Sequence, residues 1–161
     1  MKRLLAIILL TLLLCACHKN DYGILDYQDK SIEAECIVNE KYKINIKKEK
    51  DLCTLKVIEP SEAQGISFEI TENEAVAMSG DTKIQISKEH LKGVCALSSI
   101  FSQDEEFLTG ASKNGGESVL TFETDNSVYV ITLGENSMPK RVKINGYGFS
   151  YDVEICSIKL F

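Results

Sequence analysis

Val128-Tyr129-Val130-Ile131-Thr132-Leu133 is apolar on both faces of an extended chain, and it decides how the rest must be arranged. Most other extended segments alternate apolar with charged residues and so keep one wet face. A strand with no wet face has to be covered twice, by a sheet core on one side and by another element on the other. The cover comes from the one segment whose apolar period changes from two to that of a helix. Within residues 88–101, Leu91, Val94, Cys95, Ser98 and Phe101 recur at helical spacing, flanked by Leu97 and Ile100. Gly93 costs this helix about 1 kcal/mol relative to alanine, so it depends on packing for its stability. A strongly bent antiparallel sheet with the helix lying in its concave side satisfies the pattern, and its mouth is expected to be greasy.

Outward from that pair, the chain reads as strands. Before the helix, period-two alternation marks residues 32–39, 42–47, 52–59, 66–70, 74–78 and 82–87. Pro60 ends the third, because proline has no N–H for a ladder and restricts the residue before it. After the helix come residues 107–111, 119–124, 128–133, 140–145 and 149–159, with Asn114-Gly115 as a hairpin signal. Six strands, one helix and five strands joined by short turns predict sequence neighbours that pair antiparallel. The fold class is mainly β (α+β). Residues 24–28 could add one or two helical turns at the start.

Residues 1–17, MKRLLAIILLTLLLCAC, state an address. Lys2 and Arg3 precede an apolar run of the length of a secretory signal, too short to span a bilayer. Leu14-Cys15-Ala16-Cys17 resembles a bacterial lipobox, with leucine at −3 and a small alanine at −1. On that reading residues 1–16 are the signal peptide and Cys17 receives the lipid. Residues 17–23 form a short tether, and residues 24–161 form the domain. Cys15 is the poorer candidate because the bulky Leu14 precedes it; an ordinary signal peptide containing two cysteines is the alternative. The expected location is the outer face of the cell membrane, or an envelope membrane in a two-membrane bacterium. Loss of Lys2 and Arg3, with none of the 24 acidic residues, takes the net charge from −6 down by two, to −8. So acidic a body repels nucleic acid and anionic lipid head groups, and neither is expected as a partner through charge. No nucleic acid is expected as a partner.

Cys36, Cys53, Cys95 and Cys156 allow two disulfides in any of three connectivities, or serve as small buried apolar side chains; the sequence leaves both open. No CxxC occurs and there are two histidines, so neither a zinc site nor any other cofactor is expected. His18 lies in the tether and His90 at the helix start, where a solvated histidine costs little. Asp104-Glu105-Glu106 lacks the alternating spacers of a calcium loop. No GxSxG, HExxH or P-loop appears, and no enzymatic activity is expected.

The strand run through residues 54–60, TLKVIEP, then Gly65-Ile66-Ser67-Phe68-Glu69, the central helix and the closing pair of residues 128–133 and 141–144 together resemble the lipoprotein-carrier (LolA-like) superfamily. The resemblance implies an unclosed half-barrel with helices plugging its concave face, and acyl chains of lipids or lipoproteins bound between them. The chain departs from the family in having no tryptophan and one strong helix. On this basis Phe68, Leu91, Val94, Leu97, Phe101, Val130 and Ile144 are the expected ligand-lining residues. The expected function is that of a membrane-anchored lipoprotein that binds an apolar ligand, with lipid or lipoprotein transfer as its extension. The alternative is a non-enzymatic envelope adaptor or sensor, with a filled core and a protein partner of unknown identity.

Overall fold

The computed structural model describes Tyr27, residues 30–134 and residues 137–161. Cys17, the tether and residues 24–26 and 28 of the expected first turn lie outside the described residues. Among those described, one antiparallel sheet contains β1 (Ile32–Val38), β2 (Tyr42–Lys48), β3 (Cys53–Glu59), β4 (Ile66–Ile70), β5 (Ala75–Ser79) and β6 (Thr82–Gln85). It continues with β7 (Leu108–Asn114), β8 (Glu117–Glu123), β9 (Ser127–Leu133), β10 (Pro139–Gly146) and β11 (Phe149–Leu160). The spatial order is β6-β5-β4-β3-β2-β1-β11-β10-β9-β8-β7. The sheet is open and curved, a half-barrel whose edges are β6 and β7.

The chain therefore starts at the centre, meanders to one edge, crosses to the far edge and meanders back. The crossing is a 3-10 turn at Lys88–Leu91, the helix α1 (Lys92–Ser98) and a second 3-10 turn at Glu105–Phe107. Tight turns make the hairpins possible. Gly115 and Gly116, with φ of 59° and 91°, supply the left-handed pair between β7 and β8. Asn39 and Glu40 do the same between β1 and β2, with φ of 51° and 55°. Asn39 also ties β1 to β11, since its Nδ2 donates to the Ser150 carbonyl and its Oδ1 accepts from the Asp152 amide. Unpaired extra residues at Ile58, Thr109, Lys140 and Cys156 interrupt the ladders, and such bulges bend and twist a sheet.

The α-helix is shorter than its apolar period suggests. Its entry is 3-10, with Ser87 Oγ accepting from the Glu89 amide. At its exit the α-helical bond from the Ser99 amide to the Cys95 carbonyl gives way to i→i−3 bonds from Ser99 to Ala96 and from Ile100 to Leu97, which tighten the last turn. The Ser98 and Ser99 hydroxyls also donate to the Cys95 carbonyl there.

Inward-facing residues make one core. Ile32, Ala34, Cys36 and Val38 of β1 align with Ile46, Ile44, Val153, Val142, Ile131 and Leu120 on neighbouring strands, all buried. Each fully buried side chain of this size contributes about 1.5–3 kcal/mol over its exposed state. The convex face is laced by charge pairs set by register, as Lys43–Glu35 at 3.1 Å and Arg141–Asp152 at 2.7 Å.

The double cover of β9 comes about differently from the expectation. The helix covers the same face as the core, the face of Tyr129, Ile131 and Leu133. Val128, Val130 and Thr132 point to the convex side and are half-buried there. Val130 lies between Thr121 and Lys143 in register, so side chains of adjacent strands shield it in place of a second layer.

Candidate functional site

The helix is fixed over the concave face by contacts along its length. At its entry, Lys88 Nζ donates to the Glu72 carbonyl at 2.7 Å, tying it to the β4–β5 turn. Next, Gly93 meets the Tyr151 hydroxyl so closely that a Cβ would collide with it. The Tyr151 ring is itself stacked on Phe149, with centroids 5.5 Å apart. In the middle, the Tyr129 hydroxyl donates to the Ala96 carbonyl at 3.3 Å. Beyond the helix, Lys48 Nζ donates to the Phe101 carbonyl at 2.9 Å, and the Phe101 ring packs edge-on against Tyr27. Gln103 Nε2 donates to the Ser99 carbonyl at 2.6 Å.

Two cavities flank this segment. One, of about 530 Å³, lies toward the β8–β9 turn and is lined by Glu89, Lys92, Gln103, Ser127 and Tyr129 among others. The second, of about 560 Å³, lies toward the β2–β3 and β4–β5 turns, against Lys48, Asp51, Cys53, Ile70 and Glu72. They meet at Lys88, Cys95, Ser99 and Ser102, which line both. Both have the size of a small-ligand site, and both linings mix polar with apolar groups. The openings are therefore of mixed character, with apolar surface beside the serines, lysines and glutamates that the crossing segment and turns contribute.

The electrostatics follow burial. Burial pushes the Tyr129 phenol up, and hydrogen bonding with Ser127, Gln103 and Ser99 pulls it partly back. Burial raises the Cys95 thiol, and nearby Lys88 opposes the rise. All four described cysteines are free thiols. Cys36 and Cys53 are core residues whose thiols burial pushes up to about 12. His90 and the Asp104–Glu106 run, apart from their backbone roles, are exposed. Among the described residues no three of His, Cys, Asp and Glu come together to hold a metal ion.

The expected lining residues fall into three sets. Phe101 and Ile144 are fully buried and Leu97 nearly so; they fill the concave floor. Phe68, Leu91 and Val94 are half-buried and pack on the margin of that core, where α1 lies against β3 and β4. Val130 is on the opposite face and does not join them. None of the seven borders either cavity. Sequence reasoning missed Lys48 and Tyr129. The signal for Lys48 was present: it continues the inward series Ile44, Ile46, and a lysine there is 8% exposed.

No protein-family model matches the chain, and no curated protein matches it. Solved structures do. An uncharacterized conserved protein from Thermus thermophilus is similar with a TM-score of 0.53 at 13% identity, over 89% of this chain and 88% of that one. A putative outer membrane lipoprotein-sorting protein domain from Vibrio parahaemolyticus matches with a TM-score of 0.50 at 12% identity, over 88% and 92%. A LolA superfamily protein from Nitrosomonas europaea aligns at 8% identity over 86% and 92%, with a TM-score of 0.43. Among the described residues no helix is long and apolar enough to cross a membrane. The resemblance to the lipoprotein-carrier proteins is thus a resemblance of fold: an open antiparallel half-barrel crossed by a helix on its concave side.

Proposed function

We propose that this is a lipid-anchored envelope protein that binds an acyl chain of a lipid or lipoprotein in its half-barrel, in the service of transfer. The observation that carries the reading is the half-buried apolar margin formed by Phe68, Leu91 and Val94, beside a helix that roofs an otherwise apolar concave face. The fold shared with a protein described as outer membrane lipoprotein-sorting supports it. Cys17 is the anchor, residues 1–16 are removed, and the bilayer that holds the protein also supplies its ligand.

An acyl chain enters at the margin, and each CH₂ group enclosed contributes about 0.8 kcal/mol. Going deeper requires α1 to lift, since Leu97 and Phe101 fill the floor. The helix suits that motion. It has seven residues, contains Gly93 and lacks a side-chain cap at Leu91. The role is binding, with no catalytic step and no cofactor. The test is a photoreactive benzophenone residue at Leu91 of the full-length protein in cells. Lipid adducts at position 91, absent from an exposed position such as Lys83, support the reading; irradiation that yields no lipid adduct at 91 refutes it.

A second reading has its own support in the complete burial of Ile100, Phe101 and Ile144. With the floor permanently filled, the domain is an adaptor or sensor that works through a protein partner. The same experiment separates the two, because this reading calls for protein crosslinks and no lipid adducts.

A further inference from the structure

Polar groups are buried in this domain where the two cavities are. Among the described residues the polar or charged side chains counted as buried, the tyrosines apart, are Lys48, Ser98, Gln103 and Ser127. Gln103 and Ser127 border the cavity toward the β8–β9 turn, and Lys48 and Ser98 border the other. Burying a polar group is costly, and a wall meant only for core packing is cheaper to build from apolar residues. The cavity toward the β8–β9 turn has a neutral floor: Gln103, Ser127 and Tyr129 are 5%, 6% and 3% exposed, and none carries a charge. Its charged lining residues, Lys88, Glu89 and Lys92, are not buried and leave the floor to uncharged groups.

Hydrogen-bond direction narrows what this floor accepts. The Ser99 hydroxyl donates to the Cys95 carbonyl at 3.0 Å, Thr124 to the Ser127 carbonyl at 3.0 Å, and Tyr129 to the Ala96 carbonyl at 3.3 Å. A carbonyl only accepts, so these three protons are committed to the backbone, and the oxygens have lone pairs to offer. A matching ligand therefore donates. A phosphate or carboxylate brings acceptors against acceptors, an ammonium group meets Lys88 and Lys92, and an alkyl chain leaves the lone pairs dry and unpaired. Hydroxyl groups on a neutral skeleton satisfy all three conditions. Half-buried Phe107 and Phe149 line the same space, and their rings suit the C–H groups of such a skeleton. We propose that the cavity between α1 and the β8–β9 turn binds a neutral polyhydroxylated group, a sugar or a glycerol, with Ser99, Thr124 and Tyr129 accepting from its hydroxyls. The volume of about 530 Å³ admits one sugar ring with water. The site is separate from the acyl-chain margin, which lies where α1 meets β3 and β4. A free sugar and the glycosyl head group of a lipid present the same chemistry to it.

Saturation-transfer NMR of the full-length protein in phosphatidylcholine vesicles tests this, with methyl glucoside, N-acetylglucosamine and glycerol as millimolar probes and empty vesicles as the blank. Two variants add equal bulk in exposed turns: Asn126 borders this cavity and Asn73 the other. The expected result is transfer to the ring or glycerol protons of at least one probe. Asn126→Phe should more than halve it, Asn73→Phe should leave it unchanged, and excess inorganic phosphate should not displace the probe. Vesicles carrying a minority of monoglucosyl diacylglycerol separate the two sources. Loss of the free-probe signal there assigns a lipid head group and its persistence a free sugar, and either supports the site. No transfer above the blank to any of the three probes overturns the proposal. So does a signal that Asn126→Phe leaves intact, or one that phosphate abolishes. None of these outcomes bears on acyl-chain binding, which the crosslink at position 91 reads separately.

Discussion

Replacing Gly93 by alanine pits local helix chemistry against tertiary packing. By propensity alone the change stabilises α1 by up to about 1 kcal/mol. In place, however, a Cβ at position 93 collides with the Tyr151 hydroxyl and lies 3.1 Å from Cζ and 3.2 Å from Cε2. The ring has little freedom to yield, because it is stacked on Phe149. Overpacking of this kind costs about 1–3 kcal/mol, so the net expectation is a loss of about 1 kcal/mol. For a chain of this size that lowers Tm by roughly 2–4 °C. Tyr151→Phe removes the colliding oxygen but leaves the ring carbons, so in that background Gly93→Ala should be close to neutral. The coupling between the two sites is then about 1 kcal/mol, within the usual range for residues in contact. Thermal and urea unfolding of the wild type, both single variants and the double variant measure it. If Gly93→Ala stabilises by about 1 kcal/mol in both backgrounds, the helix is not seated on Tyr151, and the roof over the concave face is wrongly described.

The other outcomes concern the core, the thiols and the surface pairs. Phe101→Ala should cost about 3–5 kcal/mol in urea unfolding, since the ring is fully buried between Tyr27 and the floor. Alkylation of the native protein should label Cys156 first, Cys95 more slowly, and Cys36 and Cys53 only on unfolding, read by mass after timed quenching. Those two buried thiols also give an alkaline limit. Their ordinary value is 9.0 and the fold raises them to about 12, so the unfolded chain releases protons first and stability falls as pH rises from about 9 toward 12. Cys36→Ser/Cys53→Ser should flatten that limb. At the acid end, the Arg141 guanidinium holds Asp152 below the usual carboxylate range. Its contribution is present above the ordinary value of 3.8 and fades as pH falls through the depressed one. Asp152→Asn should reduce the acid dependence of the unfolding midpoint by a small amount, because the pair is exposed and screened.

The strands were legible because alternation is enforced by a single buried face. Ile32, Ala34, Cys36 and Val38 could be assigned to one side from the chain alone, and the structure buries those four. The position of the helix between the two meanders was legible for the same reason, since one period-3.6 segment interrupts a period-two chain. Its length was not, because the switch to i→i−3 bonds after Cys95 and the serine hydroxyls bonded there carry no periodic signal. The candidate site was legible only in part. Phe68, Leu91 and Val94 come to one margin, but an apolar pattern alone does not distinguish a residue that fills a core, such as Ile144, from one half-buried at its edge. Val130 was misread because a strand apolar on both faces was assumed to be layered on both, whereas neighbouring strands shield its convex face. The polar part of the two linings escaped because Lys88, Ser99 and Ser102 converge with distant turns only after the chain has crossed the sheet.

Native mass spectrometry of the full-length protein, released from its membrane in mild detergent, tests acyl-chain binding most directly. The account predicts a population carrying one noncovalent lipid per chain in addition to the covalent lipid on Cys17, reduced when Leu91 and Val94 are both changed to aspartate. A population bearing the covalent lipid alone, unchanged by those substitutions, would contradict it.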